Sequence, residues 1–123
     1  MTGPETRATF PRSVRIRAKR DFERVFERRL RASDRWITLL VDRGSASHAR
    51  LGIAVGKAVG PAVRRNRRKR LVREAFRRLR HELPVGTDWI IVIRPGPEPT
   101  VEQLQQSIRD LSQRLLEKLT TDD

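Results

Sequence analysis

Residues 60–77 read GPAVRRNRRKRLVREAFR, a basic segment that continues directly into an amphipathic one. Pro61 suits the first turn of a helix, because its ring fixes φ near the helical value and its missing N–H belongs to a turn whose donors are unpaired anyway. From residue 72 the apolar side chains recur at helical spacing and form one stripe, which consists of Val72, Ala75, Phe76, Leu79 and Leu83. The segment therefore predicts a helix that begins basic and then packs against a core.

The basic start of this helix is denser in cations than a fold requires. Seven of the ten residues 64–73 are cations and none is an acid. Such crowding opposes compaction, whereas a phosphate backbone would supply the missing counter-charge. Projected backward, the apolar stripe meets Arg65, Arg68 and Lys69. A solvated helix face would not require cations on that side, so we predict that the helix extends past its core and exposes its basic start on every side.

Strands are predicted on both sides of this helix. Residues 36–41 are a β-rich run, and residues 88–94 are apolar enough for a central strand. Residues 50–56 alternate in period two, so large and small side chains point to opposite faces. The large face consists of Leu51, Ile53 and Val55, and the small face of Gly52, Ala54 and Gly56. A bare strand face admits a packed helix or a nucleic-acid strand, and the alternation by itself favours the helix.

Two further helices complete the predicted domain. Asp21 is a candidate N-cap for a first helix, whose apolar stripe is Phe22, Val25, Phe26 and Leu30. Thr100 and Gln103 form a capping box for a terminal helix, whose stripe is Leu104, Ile108, Leu111, Leu115 and Leu119. Residues 98–123 hold six acids and three cations, so we expect this last helix to lie away from the basic surface.

The composition narrows the class of protein. A net charge of +13 on 123 residues is typical of a nucleic-acid binder. The length fits one domain, which we predict at residues 15–119, after a disordered basic arm at residues 1–14 and before an acidic tail at residues 120–123. The absence of cysteine excludes disulfides, thiolate zinc sites and thiol catalysis. No apolar run approaches the roughly 20 residues of a membrane span, so we expect a cytoplasmic protein.

Candidate catalytic groups are scarce. His48 and His81 are far apart in the sequence, and we expect neither to bind a metal. Residues 56–60 lack the spacing of a phosphate-binding loop, and no Ser, His and Asp set has supporting local context. Asp42 and Asp88 are interpreted as a turn residue and a strand opener rather than as general bases. We therefore predict no catalytic residue and no metal site in this chain.

The order of motifs identifies a resemblance. In sequence order the motifs are Arg15-Ile16-Arg17, Asp21-Phe22, Val25-Phe26, Leu51-Gly52-Ile53-Ala54-Val55, Lys57, Gly60, Ala62-Val63, Arg65-Asn66-Arg67, Lys69-Arg70-Leu71, Arg73-Glu74, Phe76-Arg77 and Asp88-Trp89-Ile90-Ile91-Val92. Over residues 15–119 this series closely resembles the protein component of bacterial ribonuclease P. Two positions depart from the family pattern: Ala58 stands where the family often has a second lysine, and Pro61 replaces a usually polar residue.

The resemblance implies a fold and an activity. The fold is an α+β sandwich, with a small sheet packed by three helices in the order α-β-β-β-α-β-α and a left-handed β-α-β crossover. The catalytic centre and its Mg²⁺ belong to the RNA partner, and the protein itself binds no cofactor and needs no obligate protein partner. The holoenzyme is an endoribonuclease that hydrolyses one phosphodiester to free the mature 5′ end of tRNA.

The resemblance also implies two sets of binding residues. The catalytic RNA would be bound by Arg64, Arg65, Asn66, Arg67, Arg68, Lys69, Arg70 and Arg73. The 5′ leader of precursor tRNA would enter a cleft between the first helix and the sheet, which would include Arg15, Arg17, Phe22, Phe26, Trp36 and Lys57. A single-stranded leader needs stacking surfaces and scattered cations, which raises the nucleic-acid strand above the packed helix as the occupant of the small strand face.

Two other classes share parts of this pattern. A ribosomal protein would have similar charge and size, but it would be expected to use long basic extensions rather than a compact helix start. A DNA-binding regulator would need a short helix-turn-helix pair, whereas strands flank the basic helix here.

Overall fold

The computed structural model describes residues 14–122, which form three helices and one four-stranded sheet. In chain order the elements are α1 (Lys19–Arg28), β1 (Arg31–Ser33), β2 (Ile37–Arg43), β3 (Arg50–Val55), α2 (Ala62–Leu79), β4 (Thr87–Ile93) and α3 (Val101–Asp122), with 3-10 turns at Lys57–Val59 and Arg80–Glu82. This order confirms the predicted α+β architecture.

The sheet has the strand order β1-β2-β4-β3. Strand β2 pairs antiparallel with both β1 and β4, and β3 pairs parallel with β4. The two parallel strands are neighbours, and α2 is the crossover between them. The central strand β4 is buried on both faces at Trp89, Ile90 and Ile91, as its apolar run predicts.

The main core lies between one face of the sheet and helices α2 and α3. Both predicted helical stripes are buried there, since Val72, Ala75, Phe76, Leu79, Leu83, Leu104, Ile108, Leu111, Leu115 and Leu119 all belong to one apolar cluster. The capping box of α3 is confirmed, because the Gln103 amide donates to Thr100 Oγ1 at 3.0 Å and the Thr100 amide donates to Gln103 Oε1 at 2.9 Å. Because its apolar stripe belongs to this core, the acid-rich helix α3 packs on the face of the sheet opposite to α1.

Helix α1 covers part of the other face of the sheet. Its apolar contacts form a small cluster of Ile16, Val25, Leu40 and Ile90, with Phe22 and Val92 at the margin. The helix begins at Lys19 after Ala18, which offers no side-chain cap, so the prediction of Asp21 as the N-cap is wrong. It ends at Arg28, where Arg29 turns the chain with a φ of 62°, and Leu30 packs against the main core instead of continuing the stripe.

A network of ion pairs holds α1 to the sheet. The carboxylate of Asp88 is fully buried and accepts hydrogen bonds from Arg24 Nη2 at 2.5 Å and from Arg50 Nε and Nη2 at 2.8 and 2.7 Å. Arg24 Nη1 also donates to Asp42 at 2.8 Å, and Arg50 lies 3.7 Å from Asp21. Burial alone would raise the pKa of Asp88, but the hydrogen bonds from Arg50 and Arg24 outweigh it and hold the pKa below its usual value.

The ends of the predicted domain need adjustment. Residues 1–13 of the predicted arm lie outside the described residues, whereas Val14 is buried in the main core. At the other end α3 continues to Asp122, so residues 120–122 extend the helix, and residue 123 lies outside the described residues.

We expect Asp88→Asn to lower the free energy of unfolding by about 2–3 kcal/mol, because two guanidiniums lose their shared charge partner. The cost stays below that of a fully buried pair, since Arg24 and Arg50 are 35% and 20% exposed and recover some hydration. Urea unfolding measures it. Glu82→Gln is the control, because Glu82 pairs with Arg109 on the surface and its loss should have no measurable effect.

The same carboxylate predicts a pH dependence. The pKa of Asp88 is lower in the folded than in the unfolded chain, so its contribution is complete above the ordinary pKa of about 3.9 and is lost as the pH falls through the folded-state value. The stability difference between the natural protein and Asp88→Asn should therefore shrink below about pH 4. An undiminished difference at low pH would assign the cost to packing instead.

Candidate nucleic-acid interface

Helix α1 leaves one end of its sheet face uncovered. Strand alternation puts Thr38, Ala54 and Val92 on this face, and all three are half-buried. Gly56 follows them at the end of β3, and no atom lies within 4 Å of the point where a Cβ would stand. We call these four residues the open sheet face. The predicted bare face of β3 is thus divided, because α1 fills the space above Gly52 while the space above Gly56 stays open.

A first cavity, the Phe22 cavity, lies between α1, β3 and α2. It has a volume of about 210 Å³, and its lining includes Arg15, Arg17, Phe22, Gly52, Lys69 and Arg73. The Phe22 ring lies directly on the backbone of β3, since a Cβ at Gly52 would stand 2.6 Å from Phe22 Cζ. The cavity therefore joins three residues predicted for the leader with two predicted for the catalytic RNA.

Local backbone structure brings the cations of the Phe22 cavity together. Arg15 forms a parallel bridge with Leu51, and the Ile16 amide donates to the Leu51 carbonyl at 2.9 Å, so the chain before α1 lies along the edge of β3. Lys69 and Arg73 are one turn apart on α2 and face the same space. Burial lowers the pKa of Arg73, and the charge of Arg15 lowers it further. A bound anion between these guanidiniums would relieve that repulsion.

A second cavity, the Phe26 cavity, lies at the other end of α1. Its volume is about 480 Å³, and its lining includes Phe26, Arg29, Arg31 and Leu40. Phe26 is 42% exposed, which is unusual for a large aromatic side chain. Arg29 and Arg31 were not among the predicted site residues. Their position depends on the left-handed turn at Arg29 and on the three-residue strand β1, neither of which the sequence pattern indicated.

The start of α2 presents Asn66 and three of its seven predicted cations to solvent. Arg64, Asn66, Arg67 and Arg70 are exposed, and Arg65 is half-buried with its Nε donating to the Gly60 carbonyl at 3.1 Å. Gly60 has a φ of 137°, a conformation that favours glycine, and it turns the chain into the helix. Lys57 is exposed in the 3-10 turn before it, beside the open end of β3.

Arg68 corrects the prediction that α2 exposes its basic start on every side. Its side chain is only 3% exposed, and its Nη1 and Nη2 donate to the carbonyls of Arg94 and Gly96 in the loop between β4 and α3. The apolar stripe of α2 continues through this position, so the side chain points into the body of the protein. Arg68 therefore attaches a loop to α2, and its guanidinium is buried rather than exposed as predicted.

Trp36 corrects the predicted cleft. Its ring packs against the main core, which lies on the face of the sheet opposite to α1, and the guanidinium of Arg35 stands 4.6 Å from the ring centre. Its backbone joins the Asp34 turn, where the Trp36 amide donates to Asp34 Oδ1 at 2.8 Å. Trp36 is therefore not brought together with Phe22 and Phe26.

The two histidines lie closer together than their sequence separation suggests. His48 and His81 line one cavity of about 410 Å³, beyond the C-terminal end of α2. In the described part of the chain, no group of three or more His, Cys, Asp or Glu side chains could hold a metal ion. Within residues 14–122, no helix combines the length and apolar character that a bilayer span requires.

Comparisons with known sequences all lead to one family. Residues 10–116 match the family model described as Ribonuclease P. The chain is 40% identical over 105 residues to the ribonuclease P protein component of Brevibacillus brevis, covering 84% of this chain and 83% of that one. It is 46% identical over 87 residues to the component of Methylococcus capsulatus, covering 69% and 66%.

Solved structures show the same fold. An RNase P protein of Staphylococcus aureus, a mutant with defective mRNA degradation activity, superposes with a TM-score of 0.71 at 30% identity, over 80% of this chain and 85% of that chain. The RNase P protein of Thermotoga maritima gives a TM-score of 0.63 at 30% identity, over 85% and 96% of the two chains.

We expect Gly52→Ala to destabilise the protein by about 1–2 kcal/mol, because the new methyl group would displace the Phe22 ring from β3. Gly56→Ala is the matched control. It adds the same methyl group where nothing lies within 4 Å, at a residue with a φ of −95° that alanine adopts freely. Urea unfolding of both variants gives the comparison. Equal stabilities would mean that Phe22 does not rest on Gly52.

Proposed function

The chain belongs to the ribonuclease P family, and we propose that it binds the catalytic RNA through the start of α2 and the 5′ leader of precursor tRNA along α1. As the protein component of this ribonuclease it has an RNA subunit as its partner and a role in tRNA processing. We further propose that the chemistry, hydrolysis of one phosphodiester at the 5′ end of tRNA, takes place on the RNA. The catalytic Mg²⁺ would be held there, and the complex would work in the cytoplasm.

The observation that carries the leader proposal is the pairing of aromatic rings with cations along one edge of α1. Phe22 and Phe26 are one helical turn apart, and each lines a cavity that arginines also line. Bases of any sequence can stack on an aromatic ring while the backbone phosphates pair with nearby cations. We call this edge of α1 the leader groove. The open sheet face lies on the same side of the sheet and would be the floor of the groove.

The surface proposed for the catalytic RNA is continuous with that groove. Arg64, Asn66, Arg67 and Arg70 are exposed on α2, and Lys69 and Arg73 of the same helix line the Phe22 cavity. A leader strand in the groove would therefore lie beside the RNA that cleaves it. The cations between them would screen phosphates from both strands, a task that otherwise requires more Mg²⁺.

Reconstitution tests the proposed function. The purified protein alone should not cleave precursor tRNA, whereas the protein together with the catalytic RNA encoded by the same genome should cleave it at an Mg²⁺ concentration where the RNA alone is nearly inactive. The measurement is the rate of 5′-leader release at low Mg²⁺. Robust cleavage by protein that is free of RNA, or no acceleration of the RNA, would contradict the proposal.

Phe26 gives a clearer test of the leader groove than Phe22, whose ring also packs on β3. Because its ring is 42% exposed, Phe26→Ala should cost little stability, yet it should weaken binding of precursor tRNA to the holoenzyme by about 1–3 kcal/mol, the contribution of one stacked base. Binding of mature tRNA, which lacks the leader, should not change.

Val85→Ala serves as the control for this variant, since Val85 is 72% exposed and lies away from both aromatic cavities. Affinities of each holoenzyme for tRNA with and without a leader give the readout. Equal weakening toward both substrates would remove Phe26 from the groove.

A further inference from the structure

One carboxylate stands among the cations of the basic start of α2. Arg67 Nε donates to both carboxylate oxygens of Glu98, at 2.8 and 3.0 Å. The side chains are 57% and 37% exposed, so both partners of the pair are solvated. Within residues 14–122, no other acid forms an ion pair with a cation of residues 64–73.

The loop between β4 and α3 holds Glu98 in this position. Pro97 and Pro99 flank it, and each fixes its own φ. Two residues earlier, the Gly96 carbonyl is bound by the buried guanidinium of Arg68, the neighbour of Arg67 on α2. Two residues later, Thr100 begins the capping box of α3. Because the backbone is anchored on both sides, the carboxylate meets Arg67 with little freedom left to lose.

The electrostatic surroundings favour the charged form of Glu98. The hydrogen bond from Arg67 lowers the pKa of Glu98, and the charges of Arg67, Arg68 and Arg64 lower it further. Glu98 is therefore a full negative charge on the surface proposed for RNA. A phosphate that approaches Arg67 meets a guanidinium whose charge is already matched and a carboxylate that repels it.

We propose that Glu98 competes with RNA phosphate for Arg67, and that it thereby lowers both the affinity and the salt dependence of this contact. The proposal rests on the proposed function, since it takes the start of α2 as the RNA-binding surface. When a phosphate takes the guanidinium, the RNA releases a condensed cation, but the freed carboxylate attracts one. The net ion release at Arg67 is therefore close to zero in the natural protein.

The central variant is Glu98→Gln, which keeps the shape of the side chain and removes its charge. We expect it to bind the catalytic RNA about two- to five-fold more tightly, the range that corresponds to displacing an exposed ion pair. The slope of log affinity against log salt should also become steeper by about 0.7–0.9, because Arg67 now releases one counterion. Filter binding across a salt series measures both quantities.

Two control variants separate this effect from a change in net charge. Glu82→Gln removes the same charge from a comparable pair, in which Arg109 donates to Glu82 at 3.0 and 3.1 Å, on the stretch between α2 and β4. It should change neither the affinity nor the slope measurably. The double variant Arg67→Gln with Glu98→Gln should bind the catalytic RNA no more tightly than Arg67→Gln alone. An equal gain in Glu82→Gln, or a gain that persists without Arg67, would overturn the proposal.

The result also distinguishes the proposal from the function on which it rests. Arg70→Gln removes an exposed cation of the same helix that pairs with no acid of residues 14–122, so it should weaken RNA binding and make the slope shallower. If Arg70→Gln and Arg67→Gln both leave binding unchanged, α2 is not the RNA-binding surface. If they weaken binding while Glu98→Gln leaves it unchanged or weakens it, the surface is correct and Glu98 does not compete.

Discussion

The position of α1 on the sheet depends on one buried carboxylate, that of Asp88. It joins Arg24 of α1 to Arg50 of β3, and Gly44 leaves room for it, because a Cβ there would stand 2.6 Å from the Asp88 carboxyl group. The apolar contribution of α1 is small, with Val25 as its only fully buried residue. Because the ion pairs lie at the Asp88 end of the sheet, the helix is held there and the opposite end stays open. The groove is therefore a consequence of where the network lies.

Helix α2 combines two tasks that would conflict on a single face. Its later turns bury Val72, Phe76 and Leu79 in the core, and its earlier turns present cations to solvent. Arg68 lies at the transition, on the core side but before the apolar residues begin. Its guanidinium finds carbonyl oxygens of the β4–α3 loop there, which suits a group that cannot be buried without hydrogen bonds. Arg68 thereby joins the basic start of α2 to the loop that precedes α3.

The periodicity of the sequence predicted features that depend on nearby residues, but it did not predict contacts between distant parts of the chain. The stripes of α2 and α3, the alternation of β3 and the capping box depend on residues within a few positions of one another, and the structure confirms them. The partners of Asp88 lie 38 and 64 positions away, so its interpretation as the first residue of a strand did not indicate them. Projection of the α2 stripe correctly put Arg68 on the core side, but helical spacing does not tell what a side chain meets there. For the same reason the sequence pattern did not indicate Arg29 and Arg31 beside Phe26, and it put Trp36 in the cleft, since the surroundings of all three depend on strand β1 and on the turns around it.

The net charge of +13 is the excess of cations over acids, but it does not show which cations are available for binding. In the described structure the acids are used selectively. Asp21, Asp42 and Asp88 bind arginines that hold α1, and Glu74 binds Arg77 and Arg78 on the outer surface of α2. Arginines with such partners belong to the fold, and their charge is already matched. The cations of the α2 start are almost without acidic partners, so their charge is available to a polyanion, and Glu98 is the exception that the loop places among them. The positions of the acids, more than those of the arginines, therefore decide which cations are available to a polyanion.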